Sequence, residues 1–140
     1  MSGKRLTIRT DGASRGNPGP AGIGVFMQVD GEADPREFYA YIGEATNNIA
    51  EYKALLLGLD EAEKQGAATL TILADSELLV RQINGQYKVK SEGLRPLFLD
   101  ASRRLRGFSS VRVAHIPRED NRDADRLANR AIDEYDLGCR

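Results

Sequence analysis

Four acidic side chains of this sequence occupy positions where a charge is costly unless it serves a purpose. Asp11 and Asp75 each end a short apolar segment, and Glu51 and Asp125 fall in segments whose apolar residues recur at helical spacing. Carboxylates that a fold brings together repel one another and raise one another's pKa, so a cluster costs stability unless cations bind it. The four together indicate a site for divalent cations.

The chemistry that such a cluster would support is phosphodiester cleavage. Carboxylate oxygens suit Mg²⁺ or Mn²⁺, whereas a single cysteine and a single histidine offer no cluster for zinc. Two such ions about 3.5–4 Å apart can prepare an attacking water and stabilise a leaving oxygen. The residue types therefore favour a metal-dependent nuclease.

The two aspartates that end apolar segments each have a local alternative. Asp11 precedes Gly12 and could form a turn, but the run of small residues that follows is longer than a turn requires. A backbone that approaches a polymer closely does require such a run. Asp75 could cap a helix that begins at Ser76 or Glu77, and Ser76 could cap that helix instead.

Glu51 stands on the apolar stripe of its predicted helix. It could complete a capping box in which Asn48 caps the helix and Glu51 occupies the third helical position. However, it lies four residues before Leu55 and eight before Leu59, so it faces the core, where a solvated glutamate is rare. We expect another group to compensate this charge.

Asp125 is distinguished from its acidic neighbour Asp123 by the direction it faces. It shares a helical face with Ala128 and Ile132, whereas Asp123 points toward Arg126. Asp125 is therefore the inward-leaning carboxylate of the last helix.

The segments that must position these residues alternate between strand and helix. Three strand-like segments come first, and helices and strands then alternate up to a final helix. Helices are predicted over NNIAEYKALLLGLDEAEKQG, SELLVRQING, about Pro96 to Gly107, and NRDADRLANRAIDEY. This order predicts an α/β domain with a mixed sheet. Right-handed crossovers would bring the strand ends that carry Asp11 and Asp75 together.

Length, charge and cysteine content limit the class of protein. The 140 residues fit one domain, 1–140, without a separate second module. A net charge of −1 argues against binding nucleic acid through bulk positive charge. The lone Cys139 excludes a disulfide framework, and no apolar run approaches the roughly 20 residues of a membrane span. We expect a cytoplasmic monomer that does not enter membranes.

Four segments of the chain resemble type 1 ribonuclease H, in the order typical of that family, and the resemblance covers nearly the whole chain. They are TDGASRGNPGPAGIGV, TNNIAEYKALLLGL, ADSELLVRQI and HIPREDNRDADRLANRA. The resemblance implies a ribonuclease H-like fold, a five-stranded mixed sheet in the order 3-2-1-4-5. It also implies the metal-binding quartet Asp11, Glu51, Asp75 and Asp125, with two Mg²⁺ ions or Mn²⁺ as a substitute.

The same resemblance implies the substrate and its contacts. The family cleaves the RNA strand of RNA–DNA hybrids and leaves 5′-phosphate and 3′-hydroxyl ends. The hybrid's wide, shallow minor groove displays 2′-hydroxyls, which small residues and amides can approach. The residues implied in substrate binding are Gly12, Ala13, Ser14, Asn17, Asn47, Asn48 and Gln82. The connector NGQYKVKSEG resembles the region that contacts the DNA strand, and Lys88 and Lys90 could contact its phosphates.

The residue that assists catalysis is less clear from the sequence. Many family members place a histidine in a loop before the last aspartate, but His115 lies in a predicted strand on the face of Val111 and Val113. Strand alternation therefore predicts a buried, structural His115. In a short-loop subgroup an arginine follows the proline, which corresponds to Arg118. A guanidinium cannot act as a base at neutral pH, but it can hold a phosphate.

Two other functions remain open at this stage. The chain could be a module that binds hybrids without cutting them, or a nuclease of the same fold that acts on other nucleic acids. The presence of all four carboxylates argues against the first, and the asparagine pair Asn47 and Asn48 argues for the hybrid over other substrates. No feature of the sequence indicates a protein partner.

Overall fold

The computed structural model describes residues 3–138. The strands are β1 (Lys4–Ser14), β2 (Gly19–Val29), β3 (Arg36–Ala45), β4 (Ala67–Ala74) and β5 (Ser110–His115). The α-helices are α1 (Asn47–Lys64), α2 (Glu77–Ile83), α3 (Arg95–Leu105) and α4 (Arg122–Gly138), and a short 3₁₀ helix spans Arg118–Asp120. Cys139, the lone cysteine that the sequence analysis used to exclude a disulfide framework, lies outside the described residues. None of the helices in the described part of the chain is long and apolar enough to cross a bilayer.

The strands form one mixed sheet in the order β3-β2-β1-β4-β5, which confirms the predicted architecture. The first three strands are antiparallel neighbours, and β1 pairs in parallel with β4, which pairs in parallel with β5. The parallel ladder between β1 and β4 ends at the pair Thr10 and Ala74. Asp11 directly follows Thr10 and Asp75 directly follows Ala74, so the sheet itself brings the two carboxylates to one edge.

The first strand is longer than the sequence predicted. β1 continues past Asp11 to Ser14, and Gly12 pairs with Ile23 of β2. The stretch after Asp11 is therefore a hairpin arm rather than a loop, because β2 supplies a hydrogen-bonding partner where β4 does not. Asp11 stands where the parallel ladder ends, not where the strand ends.

Helices cover the sheet on both faces. α1 packs on the face that carries Ile8 and Val25, and α4 packs on the opposite face of β1, β2 and β3. Glycines let both helices approach the strands directly. A Cβ on Gly12 would lie 2.5 Å from the backbone oxygen of Ala50 in α1, and one on Gly24 would lie 2.5 Å from the backbone oxygen of Ala124 in α4.

This packing corrects one sequence interpretation. The run of small residues after Asp11 was attributed to the close approach of a polymer. Within that run Gly12 and Gly24 accommodate helices of the protein itself, whereas the approach of a polymer to Ala13 and Ser14 stays a prediction. The absence of side chains at Gly12 and Gly24 sets the distance between the sheet and its two covering helices.

The helix caps leave the acidic residues available. Thr46, not Asn48, caps α1, and its hydroxyl accepts a hydrogen bond from Ile49 N at 3.2 Å. Ser76 caps α2 in the same way, accepting from Leu79 N at 3.2 Å. Because a serine fills the capping position, the carboxylate of Asp75 is free for another role.

We predict that Gly24→Ala destabilises the fold because the added methyl would overlap the backbone of α4. The expected loss of unfolding free energy is about 3 kcal/mol, the upper part of the usual range for overpacking. Chemical denaturation followed by circular dichroism measures it.

Gly93→Ala is the matched control, because the nearest atom to a Cβ there is the Ser91 hydroxyl at 3.7 Å. It should change the unfolding free energy by less than about 0.5 kcal/mol. Equal effects of the two substitutions would show that α4 does not rest on the backbone of β2.

Candidate active site

Three carboxylates meet at the edge of the sheet where the β1–β4 ladder ends. Asp11 comes from β1, Glu51 from the second turn of α1, and Asp75 from the residue after β4, and one oxygen of each lies within 4.8 Å of the others. Asp11 is 5% exposed, whereas Glu51 and Asp75 are half-buried. We call these three residues the carboxylate triad.

Asp125 reaches the same place from α4 without being part of the triad. It lines a cleft of about 290 Å³ together with Asp11, Glu51 and Arg118. Asp123, by contrast, is exposed, and its Oδ1 lies 3.5 Å from a guanidinium nitrogen of Arg126. The two aspartates therefore face as their helical positions predicted.

Neutral groups hold three of the four carboxylates in place. The backbone N–H of Gly12 donates to Glu51 Oε1 at 3.1 Å. The side-chain amides of Asn121 and Asn129 donate to Asp75 Oδ2 and Asp125 Oδ1, both at 3.2 Å. These donors orient the acids without neutralising them.

The proximity of the acids shifts their protonation. Burial, followed by the charges of Glu51 and Asp75, raises the pKa of Asp11 to about 9. Burial and the charge of Asp75 raise the pKa of Glu51 to about 8, although the Gly12 N–H and the Arg118 charge act in the opposite direction. The protein without bound cations therefore holds protons on carboxyls that would be ionised in water.

The donor set fits a divalent cation. Three carboxylates offer oxygen ligands at mutual distances that one small ion can span, and positive charge would relieve the repulsion that helps to raise the pKa values of Asp11 and Glu51. Asp125, which lines the same cleft as Asp11 and Glu51, offers a further carboxylate close to the triad.

Arg118 and His115 lie where the chain returns from β5 to α4. Arg118 is exposed on the 3₁₀ helix and lines the acidic cleft. His115 is the last residue of β5 and is exposed, so the prediction of a buried histidine was wrong. Its backbone pairs with Ala74, and at the end of the ladder the neighbouring elements no longer cover its side chain.

The predicted asparagines form a network beside the cleft. Ser14 N donates to Asn47 Oδ1 at 3.2 Å, and Asn47 N donates to Asn17 Oδ1 at 3.1 Å. The exposed Asn48 lies in the same surface depression as Asn17 and Asn47, and Ala13 lines the acidic cleft itself. The network ties the β1–β2 turn to the start of α1.

Two predicted substrate contacts are corrected by the structure. Gln82 is 4% exposed, and its Oε1 accepts a hydrogen bond from the Tyr52 hydroxyl at 2.6 Å, which makes it a core residue. The N–H of Gly12 is already bonded to Glu51, and the glycine is buried beneath α1. Lys88 and Lys90 are exposed and line a separate cavity of about 400 Å³ beside α3.

The sequence interpretation overlooked Asn121 and Asn129. Asn121 stands just before α4, where the preference of asparagine for helix starts could have singled it out. Asn129 lies four residues after Asp125, a spacing that puts the two side chains together on a helix. Neither signal identifies which carboxylate the amide would bind.

Known proteins resemble this chain both in sequence and in structure. A family model described as reverse transcriptase-like matches residues 9–131. A Mycobacterium tuberculosis protein described as bifunctional is 45% identical over 130 residues, which are 92% of this chain and 36% of that protein. The chain thus spans about a third of the length of the first curated relatives it matches.

Two solved structures match this chain over nearly the whole length of both proteins. RNase H1 from the halophilic archaeon Halobacterium salinarum has a TM-score of 0.89 at 38% identity, covering 93% of this chain and 98% of that one. LC11-RNase H1, solved in complex with an RNA/DNA hybrid, has a TM-score of 0.86 at 42% identity, covering 94% of this chain and 99% of that one.

The raised pKa values predict that the metal-free protein loses stability as pH rises. The folded state keeps protons on Asp11 and Glu51 up to about pH 8–9, whereas the unfolded chain releases them near the ordinary values of 3.8 and 4.5. Stability therefore falls between about pH 4.5 and 8, because the unfolded state gains by releasing protons. In chelator at pH 8, Asp11→Asn should raise the free energy of unfolding by about 1 kcal/mol or more. For a domain of this size that corresponds to a rise in Tm of about 4 °C or more.

Thermal unfolding in chelator and in Mg²⁺ measures this effect. The Tm difference should shrink toward pH 4, and Mg²⁺ should stabilise the wild type but not Asp11→Asn. Asp30→Asn is the control, since Asp30 is exposed and lies 3.7 Å from Arg5. A lower Tm for Asp11→Asn in chelator at pH 8 would contradict the prediction.

Proposed function

The chain belongs to the type 1 ribonuclease H family, and on that premise we propose that it hydrolyses the RNA strand of RNA–DNA hybrids. The observation that carries the proposal is the carboxylate triad, whose oxygens lie within 4.8 Å of one another, with Asp125 in the same cleft. Such a cluster is unfavourable by itself, so its presence indicates a function.

We propose that Asp11, Glu51, Asp75 and Asp125 hold two Mg²⁺ ions, with Mn²⁺ as a substitute. When bound, the ions would supply positive charge at the attacking water and at the leaving oxygen. Asp11, which belongs to the carboxylate triad and lines the cleft with Asp125, would help to hold the ions. The neutral donors Gly12, Asn121 and Asn129 would keep the carboxylates aimed into the cleft.

The proposed reaction is the addition of water to a phosphodiester of the RNA strand. The water oxygen forms a bond to phosphorus and the bond from phosphorus to the 3′-oxygen breaks. The water loses a proton and the leaving oxygen gains one, which gives a 5′-phosphate and a 3′-hydroxyl. Arg118, at the rim of the cleft, would hold a phosphate oxygen, because its charge persists at neutral pH.

The asparagine network would select the hybrid. Its amides can both donate to and accept from 2′-hydroxyls, which distinguish RNA from DNA in the minor groove. Ala13 and Ser14 would let the strand approach, and Asn17, Asn47 and Asn48 would contact it. Lys88 and Lys90, on the connector between α2 and α3, would contact phosphates of the DNA strand.

We predict that Asp125→Asn lowers kcat on a labelled hybrid by about 100-fold or more, since about 2.7 kcal/mol of transition-state stabilisation corresponds to that factor. Asp123→Asn removes an acid from the same turn of α4 but on its exposed side, and should leave kcat within about twofold. The assay compares hybrid, double-stranded RNA, single-stranded RNA and duplex DNA, in Mg²⁺, Mn²⁺ and chelator.

The outcomes of this assay separate the alternatives. Metal-dependent cutting of the hybrid alone supports the proposal. Binding in chelator without cutting in either metal would indicate a non-cleaving module, and cutting of another substrate would indicate a different nuclease. Equal activity of Asp125→Asn and the wild type would sink the assignment of Asp125.

We predict that Arg118→Ala lowers turnover more than His115→Ala. The Arg118 guanidinium lines the cleft, and a hydrogen bond to a charged group is worth roughly 1.5 kcal/mol or more, so turnover should fall about tenfold. His115→Ala should change it by less than about threefold. Single-turnover cleavage of the hybrid measures both, and the reverse ranking would restore a histidine mechanism.

A further inference from the structure

Asn121 connects three of the elements that carry acids. It lies between the 3₁₀ helix and α4, and its side chain is fully buried at 0% exposure. Its Nδ2 donates to the backbone oxygen of Thr10 in β1 at 2.9 Å and to Asp75 Oδ2 at 3.2 Å. Its own backbone oxygen accepts from Asp125 N at 3.1 Å.

The chemistry of the two acceptors fixes the orientation of this amide. A carbonyl oxygen and a carboxylate oxygen both accept, so only the nitrogen of the amide can face them. Because the residue is buried, water does not compete for these bonds. A neutral donor also leaves Asp75 its full charge, whereas a lysine or arginine at this position would neutralise it and compete with a cation.

Asp75 depends on this bond for its direction. Ser76 caps α2, so the Asp75 carboxylate is not engaged at the start of that helix. Asp75 Oδ2 accepts from the Asn121 amide, and one oxygen of the same carboxylate lies within 4.8 Å of oxygens of Asp11 and Glu51, so this bond acts on a carboxylate of the triad.

We propose that Asn121 is a positioning residue, whose Nδ2 fixes the Asp75 carboxylate in the orientation that lets the triad bind divalent cations. The inference rests on the proposed function of the triad as a metal site. It predicts that the metal affinity of the protein depends on Asn121, although Asn121 is not itself a ligand.

The competing explanation is purely structural. The bond from Asn121 to Thr10 anchors the start of α4 to β1, and its loss could weaken metal binding by loosening the fold as a whole. The two explanations differ in whether the effect of Asn121 passes through Asp75.

A double-mutant cycle on Mn²⁺ affinity tests this difference, with calorimetric titration of Asn121→Ala in the wild-type and Asp75→Ala backgrounds. In the wild-type background we expect affinity to fall roughly ten- to hundredfold, the usual effect of losing a partner of a metal ligand. In the Asp75→Ala background the same substitution should change affinity by less than about twofold. Asn84→Ala is the control, because its Nδ2 donates only to a strand carbonyl, that of Val113, at 3.0 Å.

Equal losses in both backgrounds, or no loss in the wild-type background, would overturn the proposal. Hybrid cleavage supplies a second measurement, in which Asn121→Ala should lower kcat and leave KM within about twofold. If the wild type cuts no hybrid, the proposed function fails, while the Mn²⁺ cycle still decides the role of Asn121.

If Asn121→Ala does not fold, nuclear magnetic resonance of the wild type tests whether Asn121 responds to metal binding at Asp75. Titration with Mg²⁺ should shift the side-chain amide resonances of Asn121, because its partner carboxylate becomes a ligand, and should leave those of Asn84 unchanged. No shift at Asn121 at saturating Mg²⁺ would contradict the proposal.

Discussion

Electrostatic repulsion among the acids at one edge of the sheet is the constraint on which the site depends. Oxygens of three carboxylates, from β1, α1 and the residue after β4, lie within 4.8 Å of one another, and the pKa values of Asp11 and Glu51 rise because burial and neighbouring charge disfavour ionisation. The fold must supply enough rigidity to oppose that repulsion. It does so with backbone: a parallel ladder that ends just before Asp11 and Asp75, and a helix that rests directly on Gly12.

The choice of neutral donors around the acids follows from the same constraint. A nearby lysine or arginine would relieve the repulsion permanently and leave little reason for a cation to bind. An N–H group of the backbone or of an asparagine holds a carboxylate oxygen in place and leaves its charge for the ligand. Two arginines, Arg15 and Arg118, line the acidic cleft, and both are exposed.

The sequence predicted the features that depend on periodicity and order along the chain. The mixed α/β architecture followed from the order of strands and helices and the inward face of Asp125 from helical spacing, whereas the strand order followed only from the resemblance to a known family. What it could not predict depends on contacts between distant segments. Burial of Gln82 under Tyr52, exposure of His115 at the end of a ladder, and the bond between Asn121 and Asp75 are all set by neighbours far away in the chain.

The interpretation that Gly12 and Gly24 make room for a polymer was wrong for a related reason. A stretch without side chains indicates that something approaches the backbone, but not whether that partner is a ligand or another part of the protein. In this fold the partners of Gly12 and Gly24 are α1 and α4.

The contact of α4 with bare strand backbone also separates the two sides of that helix. Its inner side is fixed by main-chain atoms, so the outer side, with pairs such as Arg126–Glu37 and Arg130–Glu134, does not determine where Asp125 lies. Surface charge on α4 can therefore be exchanged to suit a saltier or a more dilute medium while the acidic cleft keeps its dimensions. The outer face of α4 therefore carries the charges that meet the solvent, and its inner face holds Asp125 at the acidic cleft.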